Sequence, residues 1–312
     1  MFSVVLPAYK AAFLEKAIAS VLAQSHPDFE LIIVNDASPE DLDGIVAKFD
    51  DPRIRSYRNE RNIGGVSLVA NWNHCLSYGR GDLAVLFSDD DLMHPDFLRD
   101  MKDLSERYPQ ADVFYARVAV IDDGGAVKSI GPAAPEFEHC LDFVWHRVHN
   151  HRLIYAANFA FRRKALQAMG GFVDFPLAWG SDSATWFSLA RLKGIASTAR
   201  VRSYWRWSDY NISNIGSAAR RLEALEAYDG WLRTFVEDYP PEDEFQALLR
   251  TDILRRLPVS HFKDQCAIVE RMSNRQSIWK TVRVYFSLKK KHRLSYKTLG
   301  YALSRKMTRT TL

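Results

Sequence analysis

Ser88-Asp89-Asp90-Asp91 holds the densest chemistry in the chain: three consecutive carboxylates directly behind the apolar run Leu83-Ala84-Val85-Leu86-Phe87. That run, bounded before by Gly79-Arg80-Gly81-Asp82, predicts a buried strand, and Pro95 predicts a helix starting close by. Acids crowded at a strand end repel one another and raise one another's pKa. A divalent cation relieves that repulsion, and hard cations such as Mg2+ take carboxylate oxygens together with substrate phosphates. An acidic flank stabilised by the next helix dipole would explain one acid or two, not three.

Two more acids stand out. Asp36 closes the apolar run Leu31-Ile32-Ile33-Val34, and Asp182 lies in Trp179-Gly180-Ser181-Asp182-Ser183, ahead of a predicted helix to about Lys193. By itself Asp182 reads first as a helix N-cap. His139, His146, His149 and His151 fall in the segment 131–152 with Pro132 and Pro135. No cysteine or acid pattern completes a zinc site there, so the segment is expected to be an irregular, mobile loop over the site.

The elements that must position these groups alternate. Strands are predicted at Phe2–Pro7, Leu31–Val34, Ile54–Tyr57 and Leu83–Phe87, and helices at Phe13–Gln24, Leu42–Phe49, Val66–Tyr78 and Asp96–Arg107. Strands apolar on both faces, alternating with helices, imply an α/β fold with a mainly parallel sheet flanked by helices. Ligands of such sheets bind beyond the carboxyl ends of the strands, where Asp36 and Asp89–Asp91 fall. Asp112–Val120 predicts another strand with a hairpin turn at Asp122–Gly125. Arg163–Met169 predicts a short helix capped by Gly170-Gly171, and Ile195–Trp207 a strand-like stretch. Beyond a boundary expected near 210–217 only helices are predicted: 218–236, 245–257, 261–272, 277–288 and 296–307. The expected domains are therefore 1–212, and a small basic helical domain, 213–312.

At 312 residues and 47% hydrophobic, the chain has material for a large α/β core plus an appendage. The start runs straight into a strand pattern, so no signal peptide is expected, and no apolar run is long enough to span a membrane. Three scattered cysteines suit a reduced, cytoplasmic protein. The net charge of +4 hides an asymmetry: residues 271–312 carry 12 Lys plus Arg and no acid, leaving 30 basic against 38 acidic residues elsewhere. A basic tail points to something anionic, nucleic acid or a membrane surface.

Taken together the motifs resemble the inverting family-two glycosyltransferases of the GT-A fold, the large group of bacterial sugar transferases. The match runs over about residues 2–212. It rests on Val4-Val5-Leu6-Pro7-Ala8-Tyr9, Glu30 through Ser38, Arg61-Asn62-Ile63-Gly64, Ala70-Asn71-Trp72-Asn73, Ser88-Asp89-Asp90-Asp91, Gly170-Gly171-Phe172 and Gly180-Ser181-Asp182. The resemblance implies a GT-A, Rossmann-like domain that moves a sugar from a nucleotide donor, most simply UDP-linked, to a glycan or glycolipid in cell-surface polysaccharide synthesis. Pro7, Ala8 and Tyr9 would line the base pocket and Asp36 would hold the uracil or ribose. Asp90 and Asp91 would bind Mn2+ or Mg2+, with Asp89 and Asp90 reaching the donor. Ser88 stands where the commoner motif has its first acid. Asp182 would be the catalytic base.

Arg61 and Asn62 would shape the nucleotide pocket or form only a turn. Arg206 would meet the diphosphate or pack among Tyr204, Trp205 and Trp207. Trp179 would stack on the acceptor. The tail 271–312 would hold the protein peripherally on anionic lipid at the inner face of the cytoplasmic membrane, or form a solvated basic surface. The rival readings are a sugar-phosphate nucleotidylyltransferase, a catalytically dead scaffold and a nucleic-acid-binding protein. Pro7-Ala8-Tyr9-Lys10 is not the glycine-rich phosphate loop that the first requires, and the last leaves every acid above without a task.

Overall fold

The computed structural model describes residues 1–208, 216–274 and 277–310, so most of the boundary expected near 210–217 lies outside the described residues. The chain runs β1 (Phe2–Ala8), α1 (Leu14–Leu22), β2 (Phe29–Asn35), α2 (Leu42–Val46), β3 (Ile54–Arg58), α3 (Leu68–Leu76) and β4 (Leu83–Leu86). Then come β5 (Leu92–Met93), α4 (Phe97–Arg107), β6 (Val113–Ile121), β7 (Val127–Ile130), β8 (Phe137–Glu138), α5 (Cys140–Val148), β9 (Phe159–Arg162), α6 (Arg163–Ala168), α7 (Ser181–Ala190) and β10 (Ile195–Arg206). The rest is α8 (Ala218–Glu237), α9 (Glu244–Asn274), α10 (Ile278–Lys289) and α11 (Tyr296–Thr310).

The sheet order is β3-β2-β1-β4-β9-β6-β10-β5, with β7 on β6 and β8 on β10. Its first four strands are parallel. Val4, Val5, Leu31, Ile32, Ala84 and Val85 are all fully buried. Neighbouring residues point to opposite faces of a strand, so both faces of this half are covered. β9 then inserts antiparallel between β4 and β6, which makes the whole sheet mixed. Because β1, β2 and β4 run the same way, the chain leaves each of them on one edge, at Tyr9, Asp36 and Phe87. Asp36 N–H reaches Ala8 O at 2.9 Å, and Phe87 N–H reaches Val5 O at 2.8 Å, which extends the ladders to that edge.

Three expectations need correction, and one strand was not expected. The segment 131–152 is not an irregular loop: it contains β8 and α5, whose Cys140, Leu141, Phe143, Val144 and Val148 are buried. Pro95 lies outside α4, with Asp96 at the cap position. The two helices expected at 245–257 and 261–272 are one, running through Pro258. β9 carries no expected strand at all.

The chain divides into two compact units: Met1–Asp174 with Ser181–Asn211, and Phe175–Gly180 with Ile212–Leu312. The second has its own core, including Leu222, Leu225, Ile268, Val269, Tyr285 and Leu288. Gly180 belongs to it with φ +73°, and a Cβ there would sit 2.4 Å from the Tyr228 ring, so only glycine fits.

Candidate active site

The three acids of the triplet do different things. Asp89 Oδ2 accepts the backbone N–H groups of Tyr9 at 2.8 Å and Lys10 at 2.9 Å, tying the end of β1 to the end of β4. Asp90 Oδ1 accepts the Ser88 hydroxyl, and Lys10 Nζ stands 3.8 Å from its Oδ2. Asp91 Oδ1 accepts the Arg206 N–H at 2.8 Å. All three are buried. Burial pushes the Asp89 carboxyl up to about 6, and the Asp90 charge adds to the rise. Burial first, then Asp90, also holds Asp91 well above the usual carboxylate range. Desolvation thus outweighs the mutual repulsion read from the sequence. Asp89 Oδ1, Asp90 Oδ2 and Asp91 Oδ2 receive no hydrogen bond among those described.

Asp36 is clasped by the loop that follows β3. Its Oδ1 accepts Asn59 Nδ2 at 2.7 Å and Ile63 N–H at 2.8 Å, and its Oδ2 accepts Gly64 N–H at 2.8 Å. A carboxylate offers about four acceptor positions, so one at Oδ2 remains. Asn62 turns back onto Gly65 N–H, which closes the turn, while Arg61 is exposed. Ala8 is buried, Pro7 half-buried and Tyr9 exposed, so Tyr9 is the ring that a base can stack on.

Arg206 is committed elsewhere than to a diphosphate. Its guanidinium donates to the carbonyls of Asp90 at 2.8 Å, Asp122 at 2.6 Å and Asp123 at 3.0 Å, and lies 4.2 Å above the Phe13 ring. It is the aromatic-packed arginine, bracing the backbone under the acidic triplet.

Asp182 stands in the first turn of α7, and its Oδ1 accepts the Ser183 N–H at 2.7 Å. Burial is the largest influence on its carboxyl and raises it above the usual range, while the positive charge of Arg147 opposes the rise. Arg147 comes from α5, which packs against α7 through the Phe143 and Phe187 rings, with centroids 6.2 Å apart. Among the described residues the buried Nε of Arg147 has no hydrogen-bond partner. Trp179, three residues before Asp182, falls in the other compact unit.

Tyr155 stacks on Trp205 with ring centroids 4.2 Å apart, nearly parallel. Burial pushes its phenol up to about 12, and Asp91 and Asp182 both add to that rise. Neither Tyr155 nor Arg147 was a candidate from the sequence. The stacking partner Trp205, inside a run of four aromatic or arginine residues, was the available signal. The histidines of α5 and the following turn do meet, with His146 and His151 ring centroids 5.7 Å apart. No group of three metal-binding side chains forms among the described residues.

Strand-end carboxylates on a parallel half-sheet are thus followed by an acid on a later helix. A model of glycosyl transferase family 2 matches residues 3–170, and the chain belongs to that family. An uncharacterized glycosyltransferase of Rickettsia typhi is 24% identical over 241 residues, 76% of this chain and 73% of that one. An uncharacterized protein of Mycobacterium tuberculosis is 34% identical over only 36% of this chain and 34% of its own length. Among solved structures, residues 1–349 of Staphylococcus aureus TarS, in complex with UDP-GlcNAc, align with a TM-score of 0.64 and 15% identity, covering 88% of this chain and 82% of that 1–349 chain. The Pyrobaculum calidifontis mannosyltransferase PcManGT, in complex with GDP-Man and Mn2+, aligns at 0.56 and 16% identity over 98% and 86%.

Proposed function

We propose that this glycosyltransferase moves a sugar from a UDP-linked donor, with inversion, to a hydroxyl of a glycan or glycolipid acceptor used in cell-surface polysaccharide synthesis, and that it needs Mn2+ or Mg2+. The observation that carries the reading is the clasp of Asp89 Oδ2 on the Tyr9 and Lys10 N–H groups, which sets the acid triplet against the end of β1, the strand next to the one that Asp36 follows.

The donor set fits a hard cation. Asp89, Asp90 and Asp91 are three buried carboxylates in a row, and burial holds the carboxyls of Asp89 and Asp91 above the usual range. Too few side chains converge to make a closed cage, which suits an ion that takes one or two carboxylates and completes its shell with phosphates. Asp90 and Asp91 are the residues assigned to it. Such a cation neutralises the charge that develops on a departing diphosphate. Tyr9 stacks on the base, the remaining acceptor position of Asp36 takes a base or ribose N–H or O–H, and Asp89 keeps the two loops together.

Asp182 is assigned as general base. Its carboxylate accepts the acceptor O–H proton as that oxygen attacks the anomeric carbon, and the bond from that carbon to the diphosphate oxygen breaks on the opposite face. One displacement inverts the centre. A raised carboxyl pKa makes a stronger base than a solvated aspartate. Trp179 is kept as the acceptor-stacking residue. The acceptor would lie at the inner face of the cytoplasmic membrane, with the second unit providing peripheral contact.

Thermal-shift titration with UDP, GDP, dTDP and CDP, each with and without Mn2+, tests this. Metal-dependent stabilisation by UDP, lost in Asp90→Ala and kept in Asp182→Ala, is the expected result. Stabilisation by GDP in place of UDP would change the donor. No response to any nucleotide would sink the reading.

A further inference from the structure

In α10 the buried residues Thr281, Tyr285 and Leu288 face the core of the second unit. On the opposite side, at steps of four, three and four residues, stand Trp279, Arg283, Phe286 and Lys290. At 100° per residue these four fall within a narrow arc. All four are exposed; Trp279 is 85% exposed and Phe286 51%. An exposed tryptophan in line with an exposed phenylalanine is uncommon on a soluble surface and marks an interaction face. Neither cation in the arc makes an ion pair among those described, and no acid occurs anywhere from 271 to 312. Phe286 also continues into the next aromatic, Tyr296 of α11, with ring centroids 6.3 Å apart. Tyr296 is itself 66% exposed. No described helix is long and apolar enough to cross a membrane.

We propose that the Trp279–Arg283–Phe286–Lys290 stripe of α10 is an in-plane docking face for an anionic lipid surface. Charge complementarity selects this occupant. A stripe that alternates aromatic and basic side chains places rings at the headgroup level while guanidinium and ammonium groups stay with lipid phosphates. A protein partner reading the same stripe would need an acidic, aromatic-lined groove, and a second copy of α10 would set cation against cation. The inference rests on the peripheral contact proposed above and names the residues that make it, and it stands whether or not the first unit turns over a donor.

The test is flotation of the full-length chain with vesicles of phosphatidylcholine alone, or of phosphatidylcholine mixed with phosphatidylglycerol, at low and high salt. Binding to the anionic vesicles at low salt, its loss at high salt, and little binding to neutral vesicles are expected. Each basic residue near such a surface contributes about fivefold in affinity, so Arg283→Glu with Lys290→Glu should weaken binding at least about 25-fold. Trp279→Ala should also weaken it, and brominated lipid should quench the Trp279 fluorescence. Nucleotide thermal shifts of these variants should match the parent, which separates lost docking from lost folding and from failure of the transferase reading. Equal binding to neutral and anionic vesicles, or unchanged binding of the double charge reversal, overturns the proposal. So does a dimer that Trp279→Ala dissolves, or an RNA complex with no vesicle binding.

Discussion

The carboxylate of Asp89, after β4, holds the backbone N–H of Tyr9, after β1, at 2.8 Å, and the same oxygen holds Lys10 N–H at 2.9 Å. The residue beside the proposed metal acids is thus a clasp between two strand ends. Its charge and its shape can be separated. Asp89→Asn keeps an oxygen for both N–H groups and should leave stability near the parent value. Asp89→Ala strands the two donors and should cost about 1–3 kcal/mol. Urea denaturation of both variants checks this, and equal loss in the two would mean that the charge, not the clasp, matters.

Gly64 belongs to the corresponding clasp on Asp36. A Cβ at Gly64 would lie 2.8 Å from Asp36 Oδ2, so Gly64→Ala must push the loop off the carboxylate. Losing that hydrogen bond to a charged group should cost about 1.5–3 kcal/mol. The loop also frames the proposed ribose position, so UDP affinity should fall on the order of tenfold. Calorimetric titration with UDP decides the matter. Unchanged affinity with lowered stability would leave Asp36 a structural acid only.

Asp182 and Arg147 set the expected pH profile. Burial holds the Asp182 carboxyl up, and the Arg147 charge draws it partly down. A base works ionised, so the rate should climb with pH through that raised pKa and level off above it. Removing the guanidinium by Arg147→Ala lifts the pKa further. The climbing limb should then move to higher pH, with activity lost near neutrality and recovered in alkaline buffer. Arg147→Lys should move it less. Asp182→Asn should lower the rate by about 10²–10⁴ at every pH while UDP still binds. A uniform loss in Arg147→Ala, with the limb unmoved, would deny the electrostatic link.

How much of this was legible in the sequence depends on whether the signal was local. The apolar runs of β1, β2 and β4 and the acids behind them stand in the sequence as contiguous text, so parallel strands with Asp36 and Asp89–Asp91 on one edge could be read directly. Tyr155 and Arg147 could not. The electrostatic pull of Arg147 on Asp182 needs α5 laid on α7, a long-range pairing without a local mark. α5 did carry an apolar pattern, at 140, 141, 143, 144 and 148, but neighbouring prolines and histidines made the segment look irregular. Pro258 misled in the other direction. A proline ordinarily breaks a helix by losing an N–H and crowding the preceding turn, yet α9 runs through it. Arg206 was left with two readings because both use the same residue type, and only its carbonyl partners separate them.

Arg152 and Glu138 fix the start of α5 and the stretch leading to Tyr155. Both are buried, and Arg152 Nη2 donates to the two Glu138 oxygens at 3.0 Å each. Burial still pushes the Glu138 carboxyl up to about 7, against the pull of the guanidinium. A folded-state pKa above the unfolded one means that the native protein holds its proton more tightly. The Glu138 contribution to stability is therefore fullest below the ordinary carboxylate pKa of 4.5 and is lost as pH rises through about 7. Arg152→Met removes the counter-charge and leaves a buried carboxylate alone. At pH 8 that should cost about 3–5 kcal/mol. Near pH 5 the carboxyl can take up a proton instead, so the loss should shrink to the hydrogen bonds that Arg152 gives the carbonyls of Ala133 and His151. Denaturation at the two pH values measures the difference. A loss of the same size at both would mean that Glu138 stays ionised when unpaired, and that water reaches it.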